Sequence, residues 1–102
     1  MKQADVIVAN PTHISVALRY RAQDGAPVLL AKGYDDVALF MRQLAKDNGV
    51  PVVENKPLAR LLFKHARVGG EIPAQLYAAV AEVLAWVYRV NRYRYYAEQN
   101  QT

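Results

Sequence analysis

The chain has 102 residues, 53% apolar and 22% charged, with a net charge of +4 and no cysteine. That composition describes one small domain with a single core, and it excludes a disordered chain, a disulfide framework and a thiolate metal centre. No apolar run approaches the roughly 20 residues of a membrane span. Lys and Arg outnumber Asp and Glu by 6 to 5 in residues 1–51 and by 7 to 4 in residues 52–102, which permits acidic partners or an anionic membrane surface without demanding nucleic acid.

Met1-Lys2-Gln3-Ala4-Asp5 leads straight into a strand and lacks a signal-peptide pattern. The first strand is predicted from Ala4 to Ala9, where the consecutive Val6, Ile7 and Val8 suit a strand covered on both faces. Asn10-Pro11 is a turn, and Ile14 to Tyr20 alternates as a second strand. Gln23-Asp24-Gly25-Ala26-Pro27 is a further turn, and Val28 to Lys32 a third strand that Gly33 ends. The side chain of Asp35 or Asp36 is expected to cap a helix. Its inward stripe is Val37, Phe40, Met41, Leu44 and Ala45, with Lys46 in the last turn and Gly49 just past the end.

Val50 to Glu54 reads as a fourth strand, with Pro51 at its start or on a sheet edge. Asn55-Lys56-Pro57 opens the next helix, with Leu58, Leu61, Leu62 and His65 on one face and Gly69-Gly70 as its stop. Ile72-Pro73 opens the last helix, which turns Leu76, Val80, Val83, Leu84 and Val87 inward and runs past Tyr93. The fold expected is a small α/β domain, a four-stranded mixed sheet packed with three to four helices. Residues 1–96 form the domain and residues 97–102 a frayed tail.

The chemistry concentrates at Asn10-Pro11-Thr12-His13. Asparagine ordinarily ages when the next backbone nitrogen attacks its side-chain amide, and Pro11 has no N–H with which to do so. The reverse attack stays open. The Asn10 side-chain nitrogen can add to the Asn10 carbonyl carbon and expel the Pro11 nitrogen, breaking the chain and leaving a C-terminal succinimide. Shortening a lifetime of about a year to about ten minutes requires lowering the barrier by ~6 kcal/mol. A turn that holds the side chain near the carbonyl and donates to the developing oxyanion can supply that much. Thr12 and His13 are the nearest donors, and His13 is also a candidate proton shuttle.

The remaining candidates point less sharply. His65 lies beside an apolar stripe, and no carboxylate or further histidine stands at ligand spacing to make a metal site with His13. Ala31-Lys32-Gly33-Tyr34-Asp35 lacks the long glycine-rich loop of a phosphate cradle. Arg89, Arg92 and Arg94 with Tyr88, Tyr93, Tyr95 and Tyr96 give the last helix a basic aromatic end. That end is a solvated terminus, a packed one or a contact surface; RNA stacking on it is weakly signalled. Asn55-Lys56-Pro57-Leu58-Ala59-Arg60 is a second possible contact surface. No cofactor, metal, nucleic acid or small-molecule substrate is expected.

Asn10-Pro11-Thr12-His13 after Ala4-Asp5-Val6-Ile7-Val8 resembles the NPTH motif of the FlhB/YscU family, the export-switch membrane proteins of flagellar and type III secretion systems. Ser15-Val16-Ala17-Leu18, Ala31-Lys32-Gly33, Val50-Pro51, Pro57-Leu58-Ala59-Arg60, Ile72-Pro73 and Gln75 through Val87 resemble family segments too, so the likeness runs from Ala4 to about Tyr93. The last block resembles the flagellar branch more than the injectisome branch. The resemblance implies an excised domain at the cytoplasmic face of the bacterial inner membrane, tethered to transmembrane helices that this chain lacks. It implies partners among other export-apparatus proteins, a hook-length control protein and export substrates. It implies a single self-cleavage, not turnover of an external substrate, after which export changes from rod and hook to filament proteins. Asn10 is then nucleophile and cleavage residue, Pro11 the leaving group, and Thr12 and His13 shapers of the turn. The competing readings are an injectisome switch, an interaction module that never cleaves, and a small enzyme using Thr12 and His13 on an external substrate.

Overall fold

Strand β1, Val6–Asn10, has neighbours on both sides and both faces covered, and the other elements are arranged about it. The computed structural model describes residues 4–11 and 13–100, with the side chains of Ala22 and of residues 92–100 outside the description. The sheet runs in the order β3-β2-β1-β4, with β2 at Ile14–Arg19, β3 at Val28–Tyr34 and β4 at Val52–Glu54. Pairs β1/β2 and β2/β3 are antiparallel and β1/β4 is parallel, so the sheet is mixed, as expected. Helix α1, Asp35–Asp47, covers one face, and α2, Lys56–His65, with α3, Tyr77–Asn100, covers the other. Residues 101–102 of the expected tail lie outside the described residues, and the helical backbone of α3 extends to Asn100.

The apolar run of β1 is divided between two cores by the alternation of strand side chains. Val6 and Val8 join Val16, Leu18, Leu29, Leu58, Leu62, Val80 and Val83 under α2 and α3. Ile7 joins Ala17, Met41, Ala45 and Val50 under α1. Leu76, Val80, Val83 and Val87 are buried and Leu84 half-buried, as the spacing of the last helix predicts. Two ends match their sequence signals closely. Asn55 caps α2 by accepting the Leu58 N–H at 3.2 Å. At the end of α1, Gly49 sits at φ 71°. There the Gly49 N–H reaches the Lys46 carbonyl at 3.3 Å and the Val50 N–H the Ala45 carbonyl at 2.8 Å, which is the Schellman arrangement.

Five expectations are corrected. Gly33 lies inside β3, paired with Ser15, instead of ending it. Its role is close approach: a β-carbon there would come within 2.3 Å of Val37 Cγ1 and 2.9 Å of Val37 Cβ, so only glycine lets α1 settle on the strand. Tyr34 occupies the N-cap position of α1 with no side-chain cap bond, and Asp35 and Asp36 sit in the first turn, where their charge favours the helix dipole. The inward face of α1 is Ala38, Met41 and Ala45, while Val37 and Phe40 are 55% and 65% exposed. The helix lies so near the sheet that small residues take the contact line. On α2 the buried face is Leu58, Ala59 and Leu62; Leu61 and His65 turn to solvent. The helix closes at His65, before the glycine pair, and Gly69 and Gly70 instead exchange backbone hydrogen bonds with Leu29 at 2.7 and 2.9 Å along the free edge of β3.

The contact at Gly33 sets a test. Gly33→Ala is expected to lower stability by roughly 1–3 kcal/mol, the usual cost of overpacking a close contact. Urea unfolding followed by circular dichroism measures it, with an unchanged midpoint contradicting the close-approach role.

Candidate functional site

Asn10 closes β1 opposite Ile14, the first residue of β2, and three residues bridge them. The hairpin is a four-residue turn from Asn10 to His13, closed by the His13 N–H donating to the Asn10 carbonyl at 3.0 Å. Pro11 takes the second turn position, where its fixed φ pre-organises the bend. Asn10 is 3% exposed, although asparagine is ordinarily a surface residue. Pro11 is half-buried and His13 exposed. Thr12 lies outside the described residues.

The turn is clamped on both sides. The Asn55 N–H donates to the Ala9 carbonyl at 2.9 Å, and the Ile7 N–H donates to the Pro51 carbonyl at 2.9 Å, which fix β1 against β4. On the other side the Asp35 N–H donates to the His13 carbonyl at 2.9 Å, linking the turn to the start of α1. Asp35 does this at φ 51°, in the left-handed region. Ser15, fully buried next to the turn, donates from Oγ to the Ala38 carbonyl at 2.9 Å and accepts from Arg42 Nη1 at 3.4 Å.

Chemically, this turn polarises one carbonyl. The oxygen that accepts from His13 is the one that would carry charge if a nucleophile added at the Asn10 carbonyl carbon. Sequence reasoning placed Asn10, Pro11 and His13 in one turn, and the structure brings them together there. It named His13 among the nearest donors, and the group that donates to the Asn10 carbonyl is its backbone N–H. Asp35, Ser15 and Asn55 were missed as supports because two of the three act through backbone amides, which no residue type advertises.

The other candidates find different places. Lys32 Nζ donates to the carbonyls of Phe63 at 2.8 Å and Ala66 at 3.0 Å and lies 5.0 Å from the Phe63 ring centroid. Its charge is therefore committed to the C-terminus of α2, not to a phosphate. His65 is exposed on a groove with Leu61 and Pro73. No metal-binding group of histidines or acids occurs among the described residues. At the basic aromatic end, Tyr88 and Arg89 are exposed, and the side chains from Arg92 to Tyr96 lie outside the described residues. An apolar groove of about 350 Å³ runs between Tyr20, Ala26 and Pro27 on one wall and Tyr77, Ala81 and Leu84 of α3 on the other. No helix among the described residues is long and apolar enough to cross a membrane.

Residues 1–87 match the model of the FlhB HrpN YscU SpaS family. The chain belongs to this family. It is 56% identical over 93 residues to the flagellar biosynthetic protein FlhB of Escherichia coli K12, covering 90% of this chain and 24% of that protein. The FlhB of Bacillus subtilis is 42% identical over 91 residues, covering 88% of this chain and 25% of that one. The chain thus spans about a quarter of the length of these relatives. Among solved structures, the cytoplasmic domain of FlhB from Shewanella putrefaciens superposes with a TM-score of 0.87 at 39% identity, over 91% of this chain and 72% of that one. An EscU C-terminal domain carrying an asparagine-to-alanine substitution gives 0.82 at 34% identity, over 84% of this chain and 87% of that one. The mixed four-stranded sheet with its three helices is the architecture of these FlhB and EscU domains, and the relatives named here are flagellar biosynthetic proteins.

The clamp through Asp35 has a measurable signature. Asp35→Val is expected to destabilise the domain by roughly 1–2 kcal/mol, since a β-branched residue is strained in the left-handed region. Asp35→Gly should be close to neutral, and chemical denaturation of the two variants compares them.

Proposed function

We propose that this chain, over residues 1–96, is the self-cleaving switch domain of a flagellar type III export apparatus, acting at the cytoplasmic face of the bacterial inner membrane. The observation that carries the reading is the Asn10 carbonyl, at the end of a strand clamped on both sides, accepting the His13 N–H at 3.0 Å. In the proposed step Asn10 Nδ2 forms a bond to the Asn10 carbonyl carbon, and the charge on that oxygen falls on the His13 N–H. The carbon–nitrogen bond to Pro11 then breaks. One proton moves from Nδ2 to the Pro11 nitrogen, which leaves as a secondary amine, and Asn10 ends as a cyclic imide. One pre-organised oxyanion donor is worth roughly 3–4 kcal/mol. The remaining ~2–3 kcal/mol of the required lowering is within what holding the two reacting groups together supplies.

Cleavage of this kind happens once per chain, so the domain is a switch and not a turnover enzyme. Breaking the bond frees the turn while the sheet holds, which allows a new surface to form beside α1. In this reading the change admits filament-type substrates in place of rod and hook proteins, in answer to a hook-length control protein. The identity to flagellar relatives favours the flagellar branch over the injectisome. The apolar groove along α3 supports contact with other export-apparatus proteins.

Intact-mass spectrometry of denatured protein tests the chemistry. Two species ending at Asn10 and starting at Pro11 are expected, with masses summing to the intact chain, or to one water more once the imide hydrolyses. Asn10→Ala should remain whole. His13→Ala keeps its backbone N–H and should still cleave, slowed by less than about tenfold; a larger loss would move the role to the imidazole. A wild-type chain that stays whole after long incubation at neutral pH would sink the cleavage and leave an interaction module. The two pieces should co-elute under native conditions and separate only in denaturant. Val6, Ile7, Val8 and Ala9 are buried, and β1 is paired along both edges.

A further inference from the structure

Helix α2 presents a row of cations without counter-charges among the described residues. Lys56, Arg60 and Lys64 recur every four residues and are all exposed, so they stack along one side of the helix. Arg67, also exposed, follows just past its end. The helix itself contains no acid. Among the described residues the ion pair formed is Arg19 with Asp24, elsewhere in the domain. Glu54 and Glu71 are the nearest acids in the chain, both exposed, and neither pairs with the row among the described residues. Like charges four apart on a helix repel by a few tenths of a kcal/mol each, so the row opposes stability in the isolated domain.

A groove lies next to this row. Leu61 and His65 neighbour Arg60 and Lys64 in the chain, and Leu61 is 43% exposed. With Pro73, Gln75 and Leu76 they line a depression of about 490 Å³. A cationic rail roughly 12 Å long therefore runs beside a slot walled by the apolar Leu61, Pro73 and Leu76 and the polar His65 and Gln75. We propose that this face binds an acidic segment of a partner protein, its carboxylates on Arg60 and Lys64 and one apolar side chain seated between Leu61 and Pro73. A lipid surface would meet only the convex ridge of α2 and leave the slot unused, whereas a peptide engages both features. The inference stands whether or not the bond after Asn10 breaks.

The probe is a fluorescent peptide of about twelve residues with two leucines four apart among glutamates, a pattern that presents both features from one helical face. Anisotropy is measured against the wild-type chain, Arg60→Glu/Lys64→Glu and Leu61→Asp, with circular dichroism confirming that the variants fold. A matched peptide with serine for leucine and vesicles of phosphatidylglycerol complete the set. The leucine peptide is expected to bind, and both variants to weaken it about tenfold or more. The serine peptide should bind distinctly less. Equal binding to all three chains, equal binding of the two peptides, or no peptide binding overturns the proposal. Vesicle capture that needs the cationic row, without peptide binding, also overturns it and assigns the face to an anionic membrane.

Discussion

The burial of β1 on both faces and along both edges is the constraint on which everything at the turn depends. A strand at a sheet edge can fray at its end, and a residue at its terminus then samples many conformations. Here β2 holds one edge and β4 the other, while Ile7 is packed under α1 and Val6 and Val8 under α2 and α3. Asn10 is the last residue of this strand, so its backbone inherits the rigidity of the core. The hydrogen bond from His13 then acts on a carbonyl whose position is already fixed, the kind of pre-organisation that the proposed cleavage would draw on.

The same constraint means that β1 is held by more than its bond to the turn. Pairing and burial act on the strand independently of the bond after Asn10. In the proposed cleavage the turn would be released while β1 stayed paired and buried, which suits a switch more than a degradation signal. The links from His13 to Asp35 and from Ser15 to Ala38 connect the turn to α1, so the start of that helix is the first element to feel a change there.

The outer surfaces divide by chemistry. Apolar groups concentrate in a groove between the loop after β2 and α3, and cations concentrate along α2 beside a second groove. Both are assembled from segments distant in the chain: Pro27 meets Ala81 in the first, Leu61 meets Pro73 in the second. Lys32, by contrast, is withdrawn from the surface chemistry because two carbonyls at the end of α2 take its ammonium.

Much of this was legible in the chain of residues, for identifiable reasons. The unbroken Val6-Ile7-Val8 run announced a strand covered on both faces, since a half-exposed strand would alternate. Asn55 before Lys56-Pro57, and Gly49 after Lys46, marked helix ends because caps are local chemistry acting through neighbouring residues. Asn10-Pro11 marked the turn that joins β1 to β2, because a proline following asparagine favours a bend. What the residues could not announce was distance between elements. Gly33 looked like a strand end and proved to be the place where α1 comes closest; Val37 and Phe40 looked inward and were turned out because the small Ala38 and Ala45 took the contact line. The sequence named His13 as a donor without saying which of its groups donates, the structure places its backbone N–H on the Asn10 carbonyl, and the clamp from Asp35 appears nowhere in its residue type. Sequence by itself determined the order of the elements, the caps at Asn55 and Gly49 and the turn at Asn10-Pro11, which depend on bonds and neighbours a few residues apart. Tertiary structure alone decided which faces turn inward and which backbone amides converge on the turn, because those follow from how closely separate elements pack.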